Sequence, residues 1–127
     1  ESIQPLVDSE QVVYAGNCGP EQRNTLLGGP IALLHPVLFD EPFGLSAAEA
    51  MCCGTPVIAF NRGSMPELVL QGKTGFRVNT IGEAVLAVGK INRIRREDCR
   101  EWAMRMFSRE KMVEDYMEVY KQVVSTE

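Results

Sequence analysis

Residues 38–60 read LFDEPFGLSAAEAMCCGTPVIAF, and the fold turns on the middle of this run. Leu45, Ala48, Met51 and Cys52 recur at helical spacing, and Gly54 stands where a helix-ending glycine belongs. A residue before proline is biased to extended backbone. Glu41 therefore lies ahead of the helix, which begins after Pro42, near Gly44. On the far side PVIAF (56–60) reads as a short strand, apolar on both faces. On the near side IALLHP (31–36) is another, stopped by Pro36. Short strands apolar on both faces, alternating with helices, indicate a parallel sheet covered on both sides.

Working outward, VVYAG (12–16) predicts a further strand ending at Gly16, and TGFRV (74–78) a fourth. PEQRNTLLGG (20–29) is a short helical pattern closed by a glycine pair. SMPELVLQG (64–72) predicts a helix with Ser64 as cap and Gly72 as stop. Helices then follow at roughly 80–92, 96–106 and 108–124, the last capped by Ser108. The expected fold is α/β: a Rossmann-like parallel sheet flanked by helices, with a helical C-terminus, in one domain spanning 1–127. Met112, Tyr116, Val119, Tyr120 and Val123 mark one apolar face of the last helix, read as core or as a domain-docking surface.

A net charge of −4 argues against a general nucleic-acid binder or anionic-membrane binder. No apolar run approaches the ~18 residues of a membrane span, and no signal-peptide pattern opens the sequence, so a cytoplasmic protein is expected. Cys18, Cys52, Cys53 and Cys99 show no CxxC spacing and are expected as buried, reduced thiols. His35 is the only histidine, which disfavours a histidine metal site. Lys90, Arg93, Arg95 and Arg96 form a basic cluster, offset by Glu97 and Asp98 and read as a solvated helix-end face.

The quoted stretch also carries chemistry. The first free amides of its helix are expected at Gly44, Leu45 and Ser46, and Gly44 has no side chain to shield them. A helix N-terminus after a strand is a ready anion site, and it lies at the carboxyl end of the sheet, where open α/β sheets bind ligands. Glu49 sits among Ala47, Ala48, Ala50 and Met51, where a carboxylate is costly unless something hydrogen-bonds it. The hydroxyls of a ribose would do so, and Glu41 at the mouth could reach a second polyol. Spacing alone leaves plainer readings open: Glu41 as an exposed loop acid, and Glu49 capping the helix or pairing with an arginine. A glycosidase pair is disfavoured, because eight helical residues rise ~12 Å, beyond the ~5–9.5 Å such carboxylates use.

The run EPFGLSAAEAMCCGTPVIAFNRGSMPELVLQGKTGFRV resembles the signature region of retaining GT-B glycosyltransferases of the GT4 family, known as group 1. It shows their glutamate, seven residues, glutamate motif, their EAMACGTPVIA-like helix and strand, and their GGxPE-like and GxTGFLV-like segments. The flanking VVYAGNCGPEQRNTLLGGPIALLHPVLF and DCREWAMRMFSREKMVEDYMEVY are also similar to that family, so the likeness covers nearly the whole chain.

The resemblance implies a donor-binding role. Glu49 matches the glutamate that holds the nucleotide ribose. Glu41 matches the one that contacts the transferred sugar and favours positive charge at its anomeric carbon. Phe43, Gly44 and Leu45 match the turn whose amides meet sugar and phosphate, and Ser46, the next free amide, is expected to join them in binding the donor. His35 and Pro36 match the strand end near the nucleotide, and Gly63 to Glu67 a structural loop beside the pocket. NRGSMPE departs from the family in placing Arg62 where many members have glycine.

The implied donor is a UDP-, GDP- or ADP-hexose, with no metal or other cofactor expected and an acceptor of unknown chemistry. The resemblance further implies that ESIQPLVDSE is the end of the helix before the third strand of a donor domain. The chain then reads as a partial C-terminal domain, without the acceptor domain, the first strands, or the Arg and Lys that neutralise the diphosphate. By itself it is expected to be inactive. A homodimer through exposed sheet edges, and peripheral membrane association of the parent protein, are further expectations. The alternative is a non-catalytic nucleotide-binding or assembly module of the same fold. A sugar-nucleotide epimerase finds no support, because Tyr-x-x-x-Lys and a dinucleotide glycine fingerprint are both missing.

Overall fold

Three of the four expected strands form. In the computed structural model, which describes residues 4–8 and 10–125, they are β1 (Leu33–His35), β2 (Val57–Phe60) and β3 (Gly75–Val78). The sheet is parallel throughout in the order β1-β2-β3, with Leu33 opposite Val57 and Val57 opposite Gly75. The helices are α1 (Pro20–Gly28), α2 (Leu45–Cys52), α3 (Met65–Leu68), α4 (Ile81–Val88), α5 (Arg96–Phe107) and α6 (Arg109–Val124). The architecture is thus the expected α/β one, a parallel sheet flanked by helices with a helical C-terminus.

VVYAG (12–16) is not a strand. The Asp8 carboxylate accepts from the amides of Glu10, Gln11 and Val12 at 3.0, 2.7 and 2.8 Å. Those bonds hold its carboxyl below the usual carboxylate range. The first amide of the expected strand is thereby committed to a local turn, and Val13 and Tyr14 are exposed. The expected helix end in ESIQPLVDSE appears only as one 3-10 turn, Gln4–Leu6; positions 1–3 and 9 of that stretch lie outside the described residues.

The helix expected over 64–72 is only α3, four residues long. Val69 is already extended, Thr74 Oγ1 accepts from the Leu70 amide at 2.9 Å, and Lys73 donates to the Leu70 carbonyl, so 70–74 closes as a turn. Ser64 flanks α3 without a side-chain cap bond. Ser108 does cap α6, accepting from the Lys111 amide at 3.2 Å.

The core joins Ala47, Ala48, Ala50 and Met51 of α2 to Val57 and Ala59 of β2 and to Cys99 and Ala103 of α5. Small residues on α2 let α5 pack closely against it. The opposite sheet face is covered only in part: Ile81 and Ala84 of α4 form with Leu34, Ile58, Phe60 and Val78 an apolar hollow of about 150 Å³, and Leu34 is 58% exposed. The apolar face of α6 is not core. Met112, Tyr116, Val119, Tyr120 and Val123 are all more than half exposed, which leaves docking as the surviving half of that expectation.

Arg96 is not part of a solvated face. Its guanidinium donates to the carbonyls of Pro30 (2.9 Å) and Gly28 (2.5 Å) and to Thr55 Oγ1 (2.9 Å), stapling the α1–β1 connection to α5. All four cysteines are free thiols, but only Cys99 is buried; Cys18, Cys52 and Cys53 are partly exposed.

Candidate functional site

The carboxyl end of β1 and the N-terminus of α2 meet directly. His35 Nδ1 lies 3.4 Å from Ser46 Oγ, and the other ring nitrogen is buried without a hydrogen-bond partner among the described residues. Gly44 flanks α2 in the left-handed region (φ +88°), and its carbonyl accepts from Ala47 and Ala48, both at 3.1 Å. The Leu45 and Ser46 amides precede the first intrahelical donor, as a helix start requires. The structural reason for glycine at 44 differs from the expected one. The residue is buried, and a Cβ there would sit 2.4 Å from Met65 Cε of α3, so glycine serves the backbone turn and the packing beneath it.

Glu41, half-buried, lies in the loop between β1 and α2, and the β2–α3 loop grips this segment. Ser64 donates its amide to the Glu41 carbonyl at 2.9 Å and its hydroxyl to the Phe43 carbonyl at 2.7 Å. Gly63 adopts φ +54°, and a Cβ on it would fall 2.5 Å from the Glu41 nitrogen. The expected structural role of Gly63 to Glu67 is thus explicit at Gly63 and Ser64. Phe43 meets Phe107 of α5 edge-on, with ring centroids 5.9 Å apart, which fixes the loop from the other side.

Glu49 is not desolvated. Its side chain is 38% exposed, and Arg23 of α1 lies 3.4 Å from its carboxylate. The arginine pairing left open by the sequence is therefore present, and Arg23 is the neighbour that sequence reasoning did not name. Its place in a polar nine-residue helix gave no sign of it; only the packing of α1 on α2 brings the two together. Leu45 and Ser46 are exposed at the mouth. The arrangement offers two free amides at a positive helix end, a hydroxyl–imidazole pair, and carboxylates before and within the helix.

A family model described as "Glycosyl transferases group 1" matches residues 2–121. The chain belongs to the group 1 glycosyl transferases. It is 35% identical over 121 residues to an "Uncharacterized 41.2 kDa protein in cps region" of Klebsiella pneumoniae, covering 91% of this chain and 34% of that protein. It is 37% identical over 99 residues to the "Alpha-1,3/1,6-mannosyltransferase ALG2" of Dictyostelium discoideum, covering 72% and 23%. It is 38% identical over 73 residues to "Sucrose synthase 5" of Oryza sativa subsp. japonica, covering 56% and 8%. The chain spans about a third or less of the length of these relatives. Among the described residues, no helix of this glycosyl transferase chain is long and apolar enough to cross a membrane, and no three His, Cys, Asp or Glu side chains gather as metal ligands.

Proposed function

We propose that this chain is the donor-binding part of a retaining glycosyltransferase that moves a hexose from a nucleoside-diphosphate sugar to an acceptor. The diphosphate meets the N-terminus of α2, the ribose hydroxyls meet Glu49, and the hexose lies beside Glu41. The observation that carries this reading is the junction at His35 and Ser46, which sets a strand's carboxyl end against unbonded helix amides between the two glutamates. Family membership supports the transfer reaction.

The chemistry follows from charge. Breaking the anomeric bond leaves negative charge on the diphosphate, which preorganised amides stabilise, and develops positive charge on the sugar, which the Glu41 carboxylate favours. Arg23 does not bar a ribose from Glu49. Both partners are substantially exposed, and such a pair holds by ~0–1 kcal/mol at most, so hydroxyls can share or displace it. The base is that of a UDP-, GDP- or ADP-sugar, the acceptor is bound outside this chain, and the chain by itself binds donor without turning it over. No metal is assigned to the residues of this site. A non-catalytic binding module is the second reading, favoured by the partner Glu49 already has in Arg23.

The test is transfer by the longer protein that carries this chain. Glu41→Ala should lower kcat by roughly 100-fold while changing nucleotide affinity much less. The product should retain anomeric configuration by proton NMR, and activity should survive a chelator. An inverted product, or turnover lost on chelation, contradicts the reading.

A further inference from the structure

The β2–α3 loop holds the β1–α2 loop in two chemically distinct ways. Gly63 and Ser64 do so by close packing and hydrogen bonds from a buried residue. Arg62 does so by charge, at the surface. Its Nε donates to Asp40 Oδ1 at 3.3 Å, and its Nη1 donates to the Leu38 carbonyl. One guanidinium thus spans the segment that leads directly into Glu41.

The two side chains are 44% and 77% exposed. An exposed pair of this kind adds little to folding stability, and neither Arg62 nor Asp40 belongs to the buried core. Position is different: a displacement of ~1 Å at a reacting group can cost on the order of 100-fold in rate. A contact with little value for stability, placed on the residue next to a site carboxylate, therefore has its effect on geometry. The planar guanidinium suits this role because it donates from two nitrogens in fixed relation, which an ammonium does not.

We propose that Arg62 is a positioning residue: by tying Leu38 and Asp40 to the β2–α3 loop, it holds the Glu41 carboxylate against the hexose of the donor. This rests on the donor-site reading above. Arg62 itself touches neither the nucleotide nor the sugar, and it acts through the loop.

The test uses the full 127-residue chain as wild type, Arg62→Ala and Arg62→Lys. The first readout is hydrogen exchange at the Ser64 amide, which is bonded to the Glu41 carbonyl at 2.9 Å. Arg62→Ala should speed that exchange by about three-fold, with β2 amides unchanged and Arg62→Lys in between. Unchanged Ser64 exchange, or equal acceleration through β2, overturns the proposal.

The second readout is calorimetry with UDP, GDP and ADP and with their hexose conjugates. Arg62→Ala should bind the free nucleotides within about two-fold of wild type and lose the added affinity of the hexose. An equal loss for nucleotide and conjugate overturns the positional role. If the wild-type chain binds none of these ligands, the donor-site reading falls, and the Ser64 exchange still decides whether Arg62 holds the loop.

Discussion

At the scale of single residues, the site is held by contacts that differ sharply in what they are worth. Gly63→Ala must place a side chain at φ +54° and push back the Glu41 nitrogen, 2.5 Å away. It should cost about 1–3 kcal/mol in a urea melt and weaken donor binding as well. Arg96→Ala removes three hydrogen bonds from a charged donor and should cost about 2–3 kcal/mol, read in the same melt. Cys99 adds a pH dependence. Burial pushes its thiol from an ordinary 9.0 up to about 11. Above pH 9.0 the unfolded thiol loses its proton while the folded one keeps it, so the unfolded state binds fewer protons and stability falls. The loss should be largely developed by about pH 11, on the order of a few kcal/mol, and be much reduced in Cys99→Ala by urea melts across that range, Cys52 being raised by burial as well. Glu41, Gly44 and Glu49 were legible as a constellation because their spacing around Pro42 is local information. Arg23 and the Arg96 staple were not, since each depends on a tertiary neighbour far along the chain.

At the scale of elements, what was readable depended on where the stabilising partner lies. α2, β2 and β3 follow their apolar patterns because their partners are in the chain and buried. VVYAG has the composition of a strand but, among the described residues, no strand beside it, and Asp8 captures its first amide. Strand propensity reports fitness for a pleated, half-buried surface, so a run without that surface does not form one. α6 behaves in the opposite way: its local signals are good and its packing sparse. Ser108→Ala should therefore cost about 1 kcal/mol, read as loss of helical circular dichroism and faster exchange over Arg109–Val113, with β2 protection unchanged. Unaltered exchange there would mean that packing against α5, rather than the cap, starts the helix.

At the scale of the whole molecule, apolar surface is left open on two sides, along β1 and the partly covered sheet face, and along α6. An unpaired strand edge and a broad apolar patch favour association. Sedimentation velocity across the micromolar range should show a coefficient that rises with concentration, and a concentration-independent monomer of 14.1 kDa would contradict this. The central claim concerns the carboxyl end of the sheet, where we propose that Glu49 and the start of α2 receive a nucleoside diphosphate. Its most direct test is calorimetric titration of the chain with UDP, GDP and ADP, comparing wild type with Glu49→Ala and with Glu101→Ala, a change on an exposed turn of α5. The account predicts that one of the three nucleotides binds, that Glu101→Ala leaves its affinity unchanged, and that Glu49→Ala abolishes measurable heat. Equal binding by the two variants would contradict it.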